Sequence, residues 1–273
     1  MKNTYNKNYE VDSNDNKLVN YEYEESFSVP AIKYQRFEKT EIDENIIAEY
    51  PLTFILNNNV YDTYFCLPNN LDDLIIGNLF FKGKIKDKND ILELNIDKDS
   101  GIAKAVINEN DSSDEKIFIN DISYITSNTI TNNTVKINLK TAYEFMKVNL
   151  NSSKLFHETG GVHCAAIYDI KNNKTIVIRE DVARHNALDK AIGYCIKNDI
   201  PLNDKILFMS SRISFSMASK VAKAQIPIII SKSAPTNLAI DLCNKLNITL
   251  TGFVRGERIK IYANPERIIT NEE

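Results

Sequence analysis

The chain lacks the features that mark several common protein classes. Its four cysteines, at 66, 164, 195 and 243, lie far apart and form no Cys-x-x-Cys pair. Neither a zinc ribbon nor a dithiol redox motif is therefore supported, and scattered single thiols fit a reducing cytoplasm. No apolar run approaches the ~20 residues that a membrane span needs. The opening stretch, MKNTYNKNYEVDSNDNKLVNYEYEES, has no apolar segment of the signal-peptide kind. Basic residues are not in excess. Lys and Arg number 33 against 37 Asp and Glu, for a net charge of -4, so no basic field argues for nucleic acid. The expectation is a cytoplasmic protein that binds neither nucleic acid nor membrane.

What is present is enough apolar sequence for a real core, 43% over 273 residues, in one large domain or two modest ones. Residues 1–28 are rich in Asn, Asp, Glu, Lys and Tyr and are expected to be a mobile tail. Residues 29–141 read as a mixed, strand-rich domain. AIKYQRF, PLTFILNN and VYDTYFCL are strand-like, with Asn57-Asn58-Asn59 as a hairpin turn. Pro68 to Gly77 reads as a helix, and Gly83 as a turn. ILELNID, IAKAVIN and KIFIND follow as strands. The Thr-, Ser- and Asn-rich stretch at 121–134 is expected to be an exposed loop.

Residues 142–273 read differently. AYEFMKVNL is a short helix with Tyr143, Met146 and Leu150 on one face. GVHCAAIYDI and KTIVIRE flank Asn172-Asn173, which predicts an antiparallel hairpin over 162–179. Asp181 is placed to cap a helix running to about Lys197. Near-continuous apolar strands near 205–210, 226–231 and 248–254 alternate with helices that Ser211 or Ser214, and then Thr236, would cap. That pattern predicts a parallel sheet covered on both faces, hence an α/β fold. Right-handed crossovers would place Ser210-Ser211-Arg212, Ser231 to Pro235 and Arg255 to Arg258 on one sheet edge, where open α/β sheets bind ligands.

The stretch from Glu158 to Asn186 holds the densest polar chemistry: ETGGVHCAAIYD, a turn, then IREDVARHNALDK. Ionisable groups crowded beside a buried strand are a common sign of a site. For Arg179, Glu180, Asp181, Arg184, His185, Asn186 and Asp189 the bland alternative is a capped helix start with an ion-pair network. Arg184 and His185 are the better functional candidates, because an Arg fork suits phosphate and a His can hydrogen-bond or relay protons. Phe253 is placed either to stack on a purine or to fill the core. Cys164, beside His163, is either a sulfur carrier or a small buried residue, and burial is the commoner fate of a free cysteine.

This text resembles the FdhD/NarQ family of formate dehydrogenase accessory proteins. Its shared pattern runs Thr-Gly-Gly-x-His-x-Ala-Ala, then Arg-Glu-Asp-Val-Gly-Arg-His-Asn-Ala-x-Asp-Lys. SSRISFSMASK, SKSAPTNLAI and TLTGFVRG continue it, while AEYPLTFILNN and LPNNLDDLIIGNLFFKG match its first half more loosely, so the likeness runs from about residue 28 to the end. The resemblance implies a cytidine-deaminase-like second domain, a homodimer, and formate dehydrogenase and a cysteine desulfurase as partners. It implies a molybdopterin guanine dinucleotide cofactor (Mo-bisMGD or its tungsten analogue), with GDP as a mimic, which is sulfurated through a cysteine persulfide. Carried over residue by residue, the cofactor contacts would be Gly160, Gly161, His163, Arg184, His185, Asn186, Arg212, Ser231, Lys232, Ser233, Ala234, Phe253, Val254, Arg255, Gly256, Glu257 and Arg258.

The chain departs from the family where the persulfide should form. The family's Gly-Cys-Gly-Gly loop falls on Thr126 to Thr131, with Thr129 near the cysteine position, and no cysteine lies between 67 and 163. A hydroxyl cannot carry a sulfane sulfur. Ala183 and Ser211 replace two family glycines. The Glu of a deaminase His-x-Glu is missing after His163, and SAPT stands where Pro-Cys-x-x-Cys would be, so zinc is not expected. The alternative reading is a non-enzymatic cofactor chaperone or a regulatory partner of an intact relative, with an unrelated nucleotide-binding enzyme as a third.

Overall fold

The computed structural model describes residues 24–108, 129–131, 134–151 and 153–270, with backbone alone for 148–151. The first half opens with a two-stranded antiparallel ribbon, β1 (Ser26–Gln35) and β2 (Glu38–Ile47). A four-stranded sheet follows from β3 (Tyr50–Leu56), β4 (Asn59–Cys66), β5 (Ile91–Asp97) and β6 (Ile102–Ile107), in the order β4-β3-β6-β5. Asn57 and Asn58 turn the β3–β4 hairpin at φ 47° and 67°, the left-handed backbone that asparagine tolerates best after glycine. Helix α1 (Leu71–Phe81) lays Leu71, Leu74, Ile75 and Leu79 on Leu52, Phe54 and Leu56. Each such fully buried side chain is worth about 1.5–3 kcal/mol of transfer from water.

The second half is built on a six-stranded sheet. Before it come β7 (Ile137–Asn138), α2 (Leu139–Asn151) and α3 (Lys154–Thr159). The sheet contains β8 (His163–Asp169), β9 (Lys174–Asp181), β10 (Lys205–Met209), β11 (Ile228–Ser231), β12 (Thr249–Arg255) and β13 (Arg258–Ala263), in the order β13-β12-β11-β10-β8-β9. The β10–β11 and β11–β12 pairs are parallel, and β8–β9, β8–β10 and β12–β13 are antiparallel. Alternate residues of the strands face two cores. Ala165, Ile167, Leu207, Met209 and Ile229 meet α4 (Arg184–Lys197), α5 (Phe215–Lys223) and α6 (Asn237–Lys245). Ala166, Tyr168, Phe208 and Ile230 meet Ala142 and Met146 of α2 on the other side. Burial on both faces is why these strands read as unbroken apolar runs. A short strand β14 (Ile268–Ile269) pairs with β7.

The predicted α/β architecture, the hairpin and the three parallel strands are all present. Several boundaries differ. The tail expected to residue 28 lies mostly outside the described residues, but β1 already starts at Ser26. The KIFIND strand also lies outside them, as does most of the 121–134 loop. Of that loop, Ile130 is described and is 2% exposed, so at this point the chain plugs the core instead of facing water. Helix α1 does not stop at Gly77. It continues to Phe81 because Gly77 sits against the backbone of Asp189 on α4, where no side chain fits. The N-cap of α4 is Ala183, not Asp181; the Asp181 carboxylate accepts from the Ala183 amide at 3.1 Å. Strands β2 and β13 were not expected. Their sequences, EKTEIDENII and RIKIYA, carry few buried positions.

Candidate functional site

Backbone topology gathers the polar loops. Parallel β10, β11 and β12 all point one way, and β9 ends beside the start of β8, with His163 paired to Asp181. Their loops therefore open on a single edge, together with the N-termini of α4, α5 and α6. Hydrogen bonds stitch these loops side by side. The Cys164 amide donates to Ser210 Oγ at 2.9 Å, and the Ser210 amide donates to the Cys164 carbonyl at 3.0 Å. The Lys232 amide donates to the Met209 carbonyl at 2.9 Å, and the Phe253 amide to the Ser233 carbonyl at 3.2 Å. Ser231 is fully buried and knits the turns, its Oγ donating to the Ser211 carbonyl at 2.7 Å and accepting from the Ser233 amide at 3.1 Å.

Charge at this edge is mainly cationic, with Glu180, Asp181 and Glu257 as the nearby carboxylates. Arg184, Arg212, Arg255 and Arg258 form no ion pair among the described residues, and Arg184 Nε is buried there without a hydrogen-bond partner. Lys232 holds its ammonium 5.3 Å from the Phe156 ring centroid. Both nearby histidines register the positive field. His163 is held below the usual imidazole range by burial and by Arg184 and Arg212, with Asp181 opposing. His185 is pushed down to about 4 by burial, Lys220 and Arg184. Two neutral imidazoles beside unpaired guanidinium groups and helix N-termini make a place suited to a phosphate-bearing anion.

Phe253 stands out. It is 40% exposed, so it is not core, and its backbone has φ 55° inside an irregular stretch between Gly252 and Arg255 where the β12–β13 register shifts. A bulky residue in left-handed backbone is uncommon and strained, and such strain concentrates at functional sites. The Lys260 ammonium lies 4.8 Å from its ring centroid. Gly252 makes the geometry possible, since a Cβ there would come within 2.8 Å of the Ser233 carbonyl oxygen.

Other candidates from the sequence take structural roles. Arg179 pairs with Asp73 at 2.7 Å, and Asp189 pairs with Lys220. Asn186 is 9% exposed, and its amide donates to the Phe65 carbonyl at 2.9 Å and to Asp181 Oδ1 at 3.0 Å, so its nitrogen is committed within the fold. Val254 points into the core at 1% exposure, while Gly256, at φ 57°, and Glu257 form the β12–β13 turn. Gly160, at φ 64°, closes α3, and Gly161 packs so closely on Ile47 that a Cβ would lie 2.7 Å from Ile47 Cγ2. Sequence reasoning missed Lys190, fully buried and paired with Asp181 at 2.6 Å. Its spacing of four from Asn186 puts both on one helix face, which was the available signal.

Thr129 is not brought to this edge. The next residue, Ile130, donates its amide to the Leu246 carbonyl at 2.9 Å and accepts from Asn247 Nδ2 at 2.8 Å, at the opposite end of β12. A seven-residue strand of that kind is roughly 20 Å long. All four cysteines are buried, and burial pushes each thiol up to about 12. For Cys164, the neighbouring Glu180 adds to the effect.

Fold and edge together define the class: an α/β protein with its polar loops gathered at the C-terminal ends of parallel strands. The FdhD/NarQ family model matches residues 47–269, and the chain belongs to that family. It is 38% identical over 253 residues to the sulfur carrier protein FdhD of Bacillus pumilus (strain SAFR-032), covering 86% of this chain and 95% of that one. The sulfur carrier protein FdhD of Staphylococcus aureus (strain JH9) is 35% identical over 268 residues, covering 91% and 98%. A crystal structure of a protein assigned as a formate dehydrogenase accessory protein, from Desulfotalea psychrophila, superposes with a TM-score of 0.77 at 26% identity, covering 89% of this chain and 99% of that one. Among the described residues, no helix is long and apolar enough to cross a membrane.

Proposed function

We propose that this protein serves formate dehydrogenase maturation by holding the guanine-dinucleotide end of a molybdopterin-type cofactor at the cationic edge, and that it does so without carrying sulfur as a persulfide. The observation that carries the first part is the set of Arg184, Arg212, Arg255 and Arg258, unpaired among the described residues and gathered at one edge. Guanidinium forks and helix N-termini recognise a pyrophosphate, and exposed Phe253 offers a face for the purine. The cofactor is cargo here, and its donors fit: the buried Arg184 Nε needs an acceptor that the described chain does not supply.

The second part rests on the thiols. Persulfide formation needs a thiolate that a donor can reach. The chain has four cysteines, all of them buried with thiols near 12, and a threonine region stands where the family pattern has its cysteine loop. This favours a cofactor chaperone, or a regulatory partner of a thiol-bearing relative, over a sulfurtransferase. A homodimer in the cytoplasm is the form expected from the family resemblance.

Calorimetric titration of GDP into the wild type and Arg258→Ala tests the site. A charge-assisted contact is worth about 1.5–3 kcal/mol, so the variant is expected to bind about tenfold or more weakly. Equal binding by both proteins, or none by the wild type, rejects the assignment.

A further inference from the structure

The polar core behind the edge joins the two halves of the chain. The Asp181 carboxylate is fully buried at the end of β9. It accepts from the Leu67 amide at 3.0 Å, the Ala183 amide at 3.1 Å and Asn186 Nδ2 at 3.0 Å, and pairs with Lys190 at 2.6 Å. The Lys190 ammonium, also fully buried, donates to the Leu67 carbonyl at 3.2 Å and to Asn69 Oδ1 at 3.0 Å. Asn186 adds a bond to the Phe65 carbonyl at 2.9 Å. The backbone of Phe65 and Leu67, where the first half crosses from β4 to α1, is thereby fixed to the turn that delivers Arg184 and His185.

Stability alone does not account for this arrangement. A buried ion pair gains little over well-packed apolar side chains, because both charges lose their water. What it fixes is geometry. Each carboxylate oxygen takes backbone or amide donors from a defined direction, and Ala183 cannot cap α4 with a side chain of its own. The strong acceptor two residues earlier sets that first turn instead.

We infer that Asp181 and Lys190 are positioning residues: they make the placement of Arg184 and His185 depend on the docked Phe65–Asn69 crossing, so that the first half of the chain shapes the ligand edge of the second. The ligand arm of the test rests on the proposed guanine-nucleotide site; the imidazole arm does not.

The decisive variant is Asp181→Asn with Lys190→Met. It removes both charges together, nearly keeps the volumes, and leaves one acceptor oxygen where the carboxylate offered two, so either the Leu67 amide or the Ala183 and Asn186 donors lose theirs. Asp181 acts directly on His163, so movement is read from His185, which is set by burial, Lys220 and Arg184. The expected result is a folded protein with a displaced His185 imidazole NMR signal and about tenfold weaker GDP binding. Lys197→Met is the control. It cuts the Lys197–Asp72 pair, which also joins α1 to α4 but stands away from the edge, and should leave both readouts unchanged. A folded double variant with a wild-type His185 signal and wild-type GDP affinity overturns the inference. Should the double variant fail to fold, Asn69→Ala loosens the clamp without stranding a charge; it is expected to move the same signal and weaken GDP several-fold, and an unmoved signal overturns the inference. A wild type that binds no GDP refutes the proposed ligand, while the His185 signal still decides the positioning role.

Discussion

Phe253 combines a cost and a use in one residue. Left-handed backbone is unfavourable for a side chain with a Cβ by about 1–2 kcal/mol, and the residue holds φ 55° with its ring 40% exposed. Phe253→Gly removes that strain but adds about 0.4–1 kcal/mol of unfolded-state entropy. Thermal unfolding is therefore expected to change little or to rise slightly, while GDP binding weakens several-fold through loss of the aromatic face. A fall in stability with unchanged affinity would mark the ring as a packing element. His185 makes a second residue-scale prediction. Its folded pKa is near 4, and an unfolded imidazole titrates near 6.5. Between these values the unfolded chain binds the proton that the folded one refuses, so stability falls as pH drops from about 6.5 towards 4. His185→Gln should flatten that part of the stability profile in denaturant titrations; an unaltered slope would assign the acid loss to other groups.

At the scale of elements, α1 and α4 cross at two glycines. A Cβ on Gly77 would collide with the Asp189 backbone carbonyl, and one on Gly193 with the Asp73 carbonyl. Neither partner atom is the end of a flexible side chain, so the helices must part. Gly77→Ala and Gly193→Ala are each expected to destabilise by about 3 kcal/mol or more, at the upper end of overpacking costs. Unfolding within 1 kcal/mol of wild type would show that the crossing has slack. This contact explains a limit of sequence reading. Gly77 reads as a helix end because glycine is a poor helix former, and only the facing helix turns it into a requirement. The second-half strands were legible because both faces of that sheet are buried, which writes apolar runs such as KILFM and IIIS. The β1–β2 ribbon was half-hidden for the opposite reason. Residues 38–46 of β2 alternate charge and polarity with little burial, and its tight turn at Arg36 and Phe37, φ 48° and 72°, lacks the usual Asn or Gly.

Across the whole molecule, much of the candidate edge was legible, because topology alone sends the ends of β10, β11 and β12 to one side. What was not legible was the division of labour within the Glu158–Asn186 text and the helical turn that follows it. Asp181, Asn186 and Lys190 bind the first half of the chain, and that role depends on Phe65 to Asn69, more than a hundred residues earlier. The same whole-molecule view supports the proposed absence of persulfide transfer. Cys66 lies at the end of β4 with Tyr50 and Asp181 near it, Cys164 lies on β8 beneath the edge, and Cys195 and Cys243 lie within the helix layer. They lie in three different parts of the fold, so no single local opening exposes them all. In the native protein a thiol reagent at neutral pH should therefore modify none of the four within minutes, and all four after denaturation. Incubation with a cysteine desulfurase and labelled cysteine, read by intact mass, is expected to add no sulfur above background. A single labelled sulfur that disappears in Cys164→Ser would reverse this, because Cys164 is the one thiol whose strand reaches the edge, and persulfide transfer would then have moved to β8 from the loop that holds Thr129.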